Sequence, residues 1–248
     1  VSAASLAFLA SASLAAGAVN GFLGYGFSSL MVPSGLLLAP ARLLNPALVL
    51  IELPLNAGAA FLHRRSFRAL APALVPFAAL LLPGIFFGAL LLRHLPAAPL
   101  KLVCYALLLA VALLQAFHPQ RAGKGGPGGD GGFGLATGFL YGLTTLSGPV
   151  LALYAHRRGL SKADTRASLG FLRALESAVA ASAFTALGLF SAPHLRLAAI
   201  LLPSSLLGLW IGHGLAARVA EPRFRALALR FNLLVLAAGL IRAISEAA

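Results

Sequence analysis

Residues 138–149 read GFLYGLTTLSGP, and residues 21–33 read GFLGYGFSSLMVP. Both stretches are broken by glycine, carry neighbouring small hydroxyl residues and stop at a proline. Each interrupts a strongly apolar run, so the surroundings decide what the breaks mean. Of the 248 residues, 60% are hydrophobic and only 10% are charged, against roughly 25% charged in soluble domains. That is too little charge to coat a surface facing water. The apolar residues fall in blocks of about 18–24, and at about 1.5 Å of rise per residue each block crosses a hydrocarbon core of roughly 30 Å. The chain therefore reads as an all-α, polytopic membrane protein in contact with the lipid bilayer.

The formal charge is +13, from 19 Lys and Arg against 6 Asp and Glu. A basic balance can mark a nucleic-acid protein. Here the cations sit in short links between apolar blocks with few aromatics among them, which fits membrane orientation instead. Nucleic acid is not an expected partner. The single cysteine, Cys104, offers neither a disulfide framework nor a metal cluster. The opening VSAASLAFLASASLAAGAVN has no basic leading segment and reads as part of the protein rather than as a cleaved signal.

Punctuation along the chain suggests two repeats. The first, 1–118, comprises a broken-helix hairpin over 1–40 and helices at 43–62, 69–92 and 100–117. PQRAGKGGPGGDGG at 119–132 has seven glycines in fourteen residues and reads as a linker. The second repeat, 133–248, comprises a hairpin over 133–155 and helices at 167–190, 194–217 and 224–245. Pro33 aligns with Pro149, Pro83-Gly84 with Pro203, Gly88 with Gly208, and RHLPAAPLK with ARVAEPRFR, at offsets of 116 to about 124. A hairpin and three crossings per half make the repeats inverted. The loops at 63–68, 119–131, 156–166 and 218–225 then share one side and hold twelve of the nineteen Lys and Arg. The positive-inside rule makes that side cytoplasmic and puts both termini outside.

A transmembrane helix can stop inside hydrocarbon only where protein or a water-filled cavity shields it. Gly24, Gly26, Gly142 and Gly148 supply backbone freedom at the breaks, and Pro33 and Pro149 suit the first turn of the run that follows. Each break thus starts a half-helix, whose partial positive charge and free N–H groups suit an anion. Paired half-helix starts near mid-membrane are a transporter arrangement. Candidate substrate-binding residues are Gly26, Ser28, Ser29 and Met31 at the first break, and Thr144, Thr145, Ser147 and Gly148 at the second, with Tyr25 shaping the wall. The same small residues and hydroxyls also serve plain helix packing.

Four charged residues fall inside apolar helices: Glu52, Arg173, Glu176 and Arg230. Charges there face a cavity, one another or the headgroup layer. Arg173 and Glu176, three apart, share a helix face and are placed to pair. Glu52 forms a polar stripe with Asn56, one turn on. A titrating Glu52 or Glu176 would suit proton coupling, and Arg173 would counter an anion; a structural ion pair is the alternative. The histidines lie at helix ends or alone, no HExxH, CxxC or GxSxG occurs, and no cofactor, metal or enzymatic constellation is called for.

GFLGYGFSSLMVP at 21–33, GFLYGLTTLSGPVLALYAHRRGLSKADTRASL at 138–169 and PSSLLGLWIGHGLAARVAEPRFRALA at 203–228 resemble the TauE/SafE family of membrane permeases, the sulfite exporter family. The resemblance spans essentially the whole chain. It implies an integral inner-membrane protein moving small anions such as sulfite, sulfonates and related sulfur oxyanions. The first motif, GYGFSS, is bulkier than the glycine-rich form usual in that family, which bears on the choice of anion. The expected function is a secondary transporter for a small sulfur-containing anion. An uncoupled anion channel and a non-transport membrane assembly protein are the alternatives. Direction and oligomeric state are left open.

Overall fold

The computed structural model describes residues 2–62, 64–117, 130–215 and 221–247. Most of the glycine-rich stretch, and residues 218–220 of the late basic turn, lie outside them. Ten helices run through the described residues: α1 (Ala3–Leu23), α2 (Phe27–Leu36), α3 (Ala41–Leu62), α4 (Arg64–His94), α5 (Ala97–Phe117), α6 (Asp130–Thr144), α7 (Gly148–Arg157), α8 (Lys162–Ala186), α9 (Ala192–Leu215) and α10 (Glu221–Ala247). Four of the described helical stretches are long and apolar enough to cross a membrane: Ala3–Leu23, Leu74–His94, Ala97–Leu114 and Ala192–Leu215. The chain is a multi-pass membrane protein. Large apolar side chains point outward, led by Trp210 at 75% exposure and Leu234 at 71%, as a lipid-facing surface requires.

The runs that follow the two breaks are ten-residue helices, α2 and α7. The first break is made by glycine. Gly24 takes φ +82 and returns its N–H to the Asn20 carbonyl, closing α1, and Gly26 takes φ +107 as the residue before α2. The second break is made differently. Gly142 and Gly148 have ordinary backbone angles, and the left-handed turn falls on Thr145, at φ 58, whose N–H bonds the Tyr141 carbonyl at 2.7 Å. Left-handed backbone costs an L-residue with a side chain roughly 1–2 kcal/mol. Gly24→Val is therefore expected to lower stability by about that amount, while Thr145→Gly leaves the fold intact; thermal unfolding in micelles measures both.

The prolines do not mark equivalent points. Pro149 is the second residue of α7, as expected, but Pro33 lies seventh in α2 and does not begin it. Gly26 and the polar Ser28-Ser29 pair occupy the start instead. Pro33 has no N–H for the Ser29 carbonyl, and its own carbonyl accepts a 3.1 Å hydrogen bond from Tyr105 of α5.

Helix ends differ from the sequence reading by a few residues. α8 begins at Lys162 rather than 167, because Ser161 caps it, accepting the Asp164 N–H at 3.1 Å. It ends at Ala186 rather than 190, where Gly188 turns left-handed at φ +64. α6 starts at Asp130, three residues inside the expected linker.

The breaks sit in a frame of long helices. α1 packs along α9, α4 along α6, and α3 lies on α8, while α10 packs on α5 and α2. Nearly all of α2 is buried; only Ser29 is partly open. The C-terminal carbonyls left free at the two breaks are met by side chains of the central helices. Asn45 of α3 donates to the Leu143 carbonyl at 2.7 Å, and Arg166 of α8 donates to that of Phe22 at 3.4 Å. Arg42 caps α4 through the Arg93 and Leu95 carbonyls at 2.7 and 2.5 Å.

Candidate functional site

Where α3 crosses α8, three ionisable side chains are buried: Glu52 at 0%, Arg173 at 1% and Glu176 at 0% exposure. Charges so far from water require partners, and the partners tie five helices together. Glu52 Oε1 accepts Arg173 Nη2 at 2.8 Å and also the Ser28 hydroxyl of α2. Its other oxygen, Oε2, accepts Tyr141 of α6 at 2.7 Å. Arg173 Nη1 donates to Asn20 Oδ1 of α1 at 3.1 Å. Asn56 donates to Ser177 Oγ at 2.7 Å, and Ser177 returns to the Arg173 carbonyl at 2.8 Å.

The expected Arg173–Glu176 pair does not form. Three residues apart on one helix, the two are neighbours, but the guanidinium reaches away across the interface to Glu52 and Asn20. Glu176 instead accepts the Ser147 hydroxyl, at 2.5 Å, through Oε2. Ser147 is the residue before α7.

The two half-helices start beside each other here. A methyl added to Gly148, the first residue of α7, would lie 3.1 Å from the Tyr25 Cβ and 3.5 Å from Arg173 Nη1. Tyr25 directly precedes Gly26 and α2. Three polar atoms around this junction are buried without a partner: Ser29 Oγ, Arg173 Nε and Glu176 Oε1. Such atoms cost free energy unless something meets them.

Not every candidate joins the junction. Thr144 Oγ1 bonds back to the Leu140 carbonyl at 2.7 Å and receives the Leu146 N–H at 3.2 Å. Thr145 Oγ1 bonds the Thr144 carbonyl at 2.6 Å. Both hydroxyls are spent on ending α6. Met31 is buried within α2, and Arg230 of α10 is exposed. Asn20, Tyr141 and Ser177 belong to the network and escaped the sequence reading. Asn20 carried a signal, being an amide alone in an apolar run; Tyr141 carried none beyond its hydroxyl.

The geometry combines helix breaks inside a lipid-facing bundle with a buried, polar junction between them. The family model described as sulfite exporter TauE/SafE matches residues 9–240. The chain belongs to the sulfite exporter TauE/SafE family. Proteins of the TauE/SafE family are transporters, not enzymes, and this chain is a TauE/SafE membrane transporter. The matched region contains both breaks and every residue of the TauE/SafE junction described above. No match is found among curated proteins or among solved structures.

Proposed function

We propose that the chain is a secondary transporter that carries a small sulfur-containing anion, a sulfite, a sulfonate or a related oxyanion, across the cytoplasmic membrane by alternating access. The observation that carries this reading is the meeting of the α2 and α7 starts beside Arg173. Helix starts offer partial positive charge and free N–H groups. A guanidinium with an unspent Nε–H suits an oxyanion, which takes several donors at once. Gly26, Ser28, Ser29 and Met31 would line the seat from α2, and Ser147 and Gly148 from α7, with Thr144 and Thr145 shaping the turn behind. Arg173 would counter the anion's charge, while Glu52, Asn56 and Glu176 would serve the ion pair or coupling behind the seat rather than hold the anion.

This reading takes the halves as inverted repeats, with both termini outside. It is supported by a register of 121 residues, which relates Asn20, Gly24, Glu52 and Asn56 to Tyr141, Thr145, Arg173 and Ser177. Under it the Arg173–Asn20 bond corresponds to the Glu52–Tyr141 bond. The Glu52–Arg173 and Asn56–Ser177 contacts each join a residue to its own counterpart. The turn N–H of Gly24 to Asn20 likewise corresponds to that of Thr145 to Tyr141.

Flux of labelled sulfite, sulfoacetate, thiosulfate and sulfate into liposomes carrying the chain tests the proposal. Saturable flux with counterflow of at least one is expected. Flux of none, with folded protein, would remove the sulfur-anion reading, and flux without saturation or counterflow would favour a channel. Cysteine labelling locates the seat. In a Cys104→Ala background, S29C is expected to react with a small water-soluble thiol reagent and to be slowed by sulfoacetate. S147C is expected to react and to be protected likewise. Inert S29C, or no protection, would argue that the break serves packing alone.

A further inference from the structure

Each half-helix start already has a carboxylate at its hydroxyl. Ser28 of α2 donates to Glu52, and Ser147 before α7 donates to Glu176. An anion arriving at either start meets a donor in use and a negative charge beside it. The two carboxylates are not equivalent. Glu52 is held by Ser28, Tyr141 and the Arg173 guanidinium. Among the described residues, Glu176 is held by Ser147 alone, forms no ion pair with Arg173 three residues earlier, and leaves Oε1 buried with no partner. The other buried titratable side chains on α8 and its neighbours are Glu52 of α3, Tyr141 of α6, Tyr154 of α7 and Arg173 of α8 itself. The buried side chains that α4 contributes between Leu74 and Leu92 are apolar.

We infer that Glu176 is the proton carrier that couples anion movement to a proton gradient, and that Glu52 is a positioning residue for Arg173. This rests on the transporter reading above. When Glu176 is ionised, it keeps the Ser147 hydroxyl and repels an anion at the start of α7. A proton taken from water onto the free Oε1 discharges the carboxylate. The Ser147 hydroxyl is then free to turn to the incoming anion. After the site opens to the other side, the anion leaves, the proton returns to water there, and Ser147 closes again on Glu176. One proton crosses with each anion, and no bond other than the O–H of Glu176 forms or breaks. Linkage requires proton and anion to raise each other's affinity by the same factor. The Glu52–Arg173 pair stays closed throughout, keeping the guanidinium aimed at the junction.

The test uses the full chain in liposomes and 2-hydroxyethanesulfonate, whose charge does not titrate. With acid outside, the wild-type chain is expected to accumulate the probe. E176Q loses that accumulation by about tenfold or more, while exchange of labelled for unlabelled probe persists and shows that the protein is folded. E52Q loses both activities, because Arg173 loses its holder. Full gradient-driven accumulation by E176Q, or a wild-type chain indifferent to the gradient, would overturn the assignment while leaving transport standing. No flux of any sulfur anion in the wild type would instead overturn the transporter reading. If E176Q loses exchange as well, infrared difference spectra on adding the probe decide. A protonated-carboxyl band that shifts in E176D but not in E52D supports the assignment, and a band that E176D leaves in place overturns it.

Discussion

Arg173→Gln is expected to abolish transport and to lower stability by about 3–5 kcal/mol, the range seen when one partner of a buried ion pair is removed. The reason lies in what stays behind. Glu52, fully buried, would keep hydrogen bonds from Ser28 and Tyr141 but lose the 2.8 Å contact to its only ion-pair partner among the described residues. Asn20 would lose its donor as well. The double variant E52Q/R173Q separates the two consequences. Two neutral amides remove both charges together, so no uncompensated buried charge is left behind. The double variant should therefore recover most of the lost stability and none of the transport, since no cation then faces the helix starts. Thermal unfolding in micelles and flux in liposomes read the two effects independently. R173Q as stable and as active as the wild type would show that the pair neither holds α3 to α8 nor serves the anion.

Much of this architecture could be read from the chain directly, and the reasons separate what could from what could not. Hydropathy blocks carry a local signal, because each helix must meet lipid along its own length; most helices fall within a few residues of where the blocks put them. The breaks at 24–26 and 144–147 were legible because interrupting an apolar run needs residues an unbroken helix would avoid. Pro33 and Pro149 look alike in sequence, yet one lies inside its helix and the other in the first turn. The start of α8 carried a plain capping pattern, Ser161 followed three residues on by Asp164. The pairing of Glu52 with Arg173 had no local signature, since a contact across 121 residues depends on how α3 meets α8. Arg173 had a nearer acid in Glu176. Proximity along a helix ranks partners only when both side chains are free to face each other, and here the guanidinium is drawn to Glu52 and Asn20.

Gly212→Leu is expected to prevent folding, while Gly214→Leu, two residues on, is expected to leave stability and flux unchanged. At Gly212 an added Cβ would strike the Ala18 backbone of α1, and at Gly208 that of Leu14; Gly17 and Gly21 make the reciprocal approach to Ser205 and Leu209 of α9. At Gly214 an added Cβ meets nothing within 4 Å. Backbone, unlike a flexible side chain, cannot step aside, so the helices must part along their whole length. The cost should exceed about 3 kcal/mol, above the usual range for overpacking. Small residues four apart are the ordinary means of such close contact between membrane helices. The same device joins α4 to α6, where Gly84 and Gly88 lie against Gly138 and Gly142, and Gly134 lies against the Phe77 backbone. Each seam ties a helix that ends at a break to one that does not, so Gly138→Leu should fail as Gly212→Leu does. Thermal unfolding in micelles, followed by far-ultraviolet circular dichroism, checks all three variants. If Gly212→Leu melted like the wild type, the α1–α9 contact would be dispensable. If Gly214→Leu failed too, the loss would come from general crowding rather than from the seam.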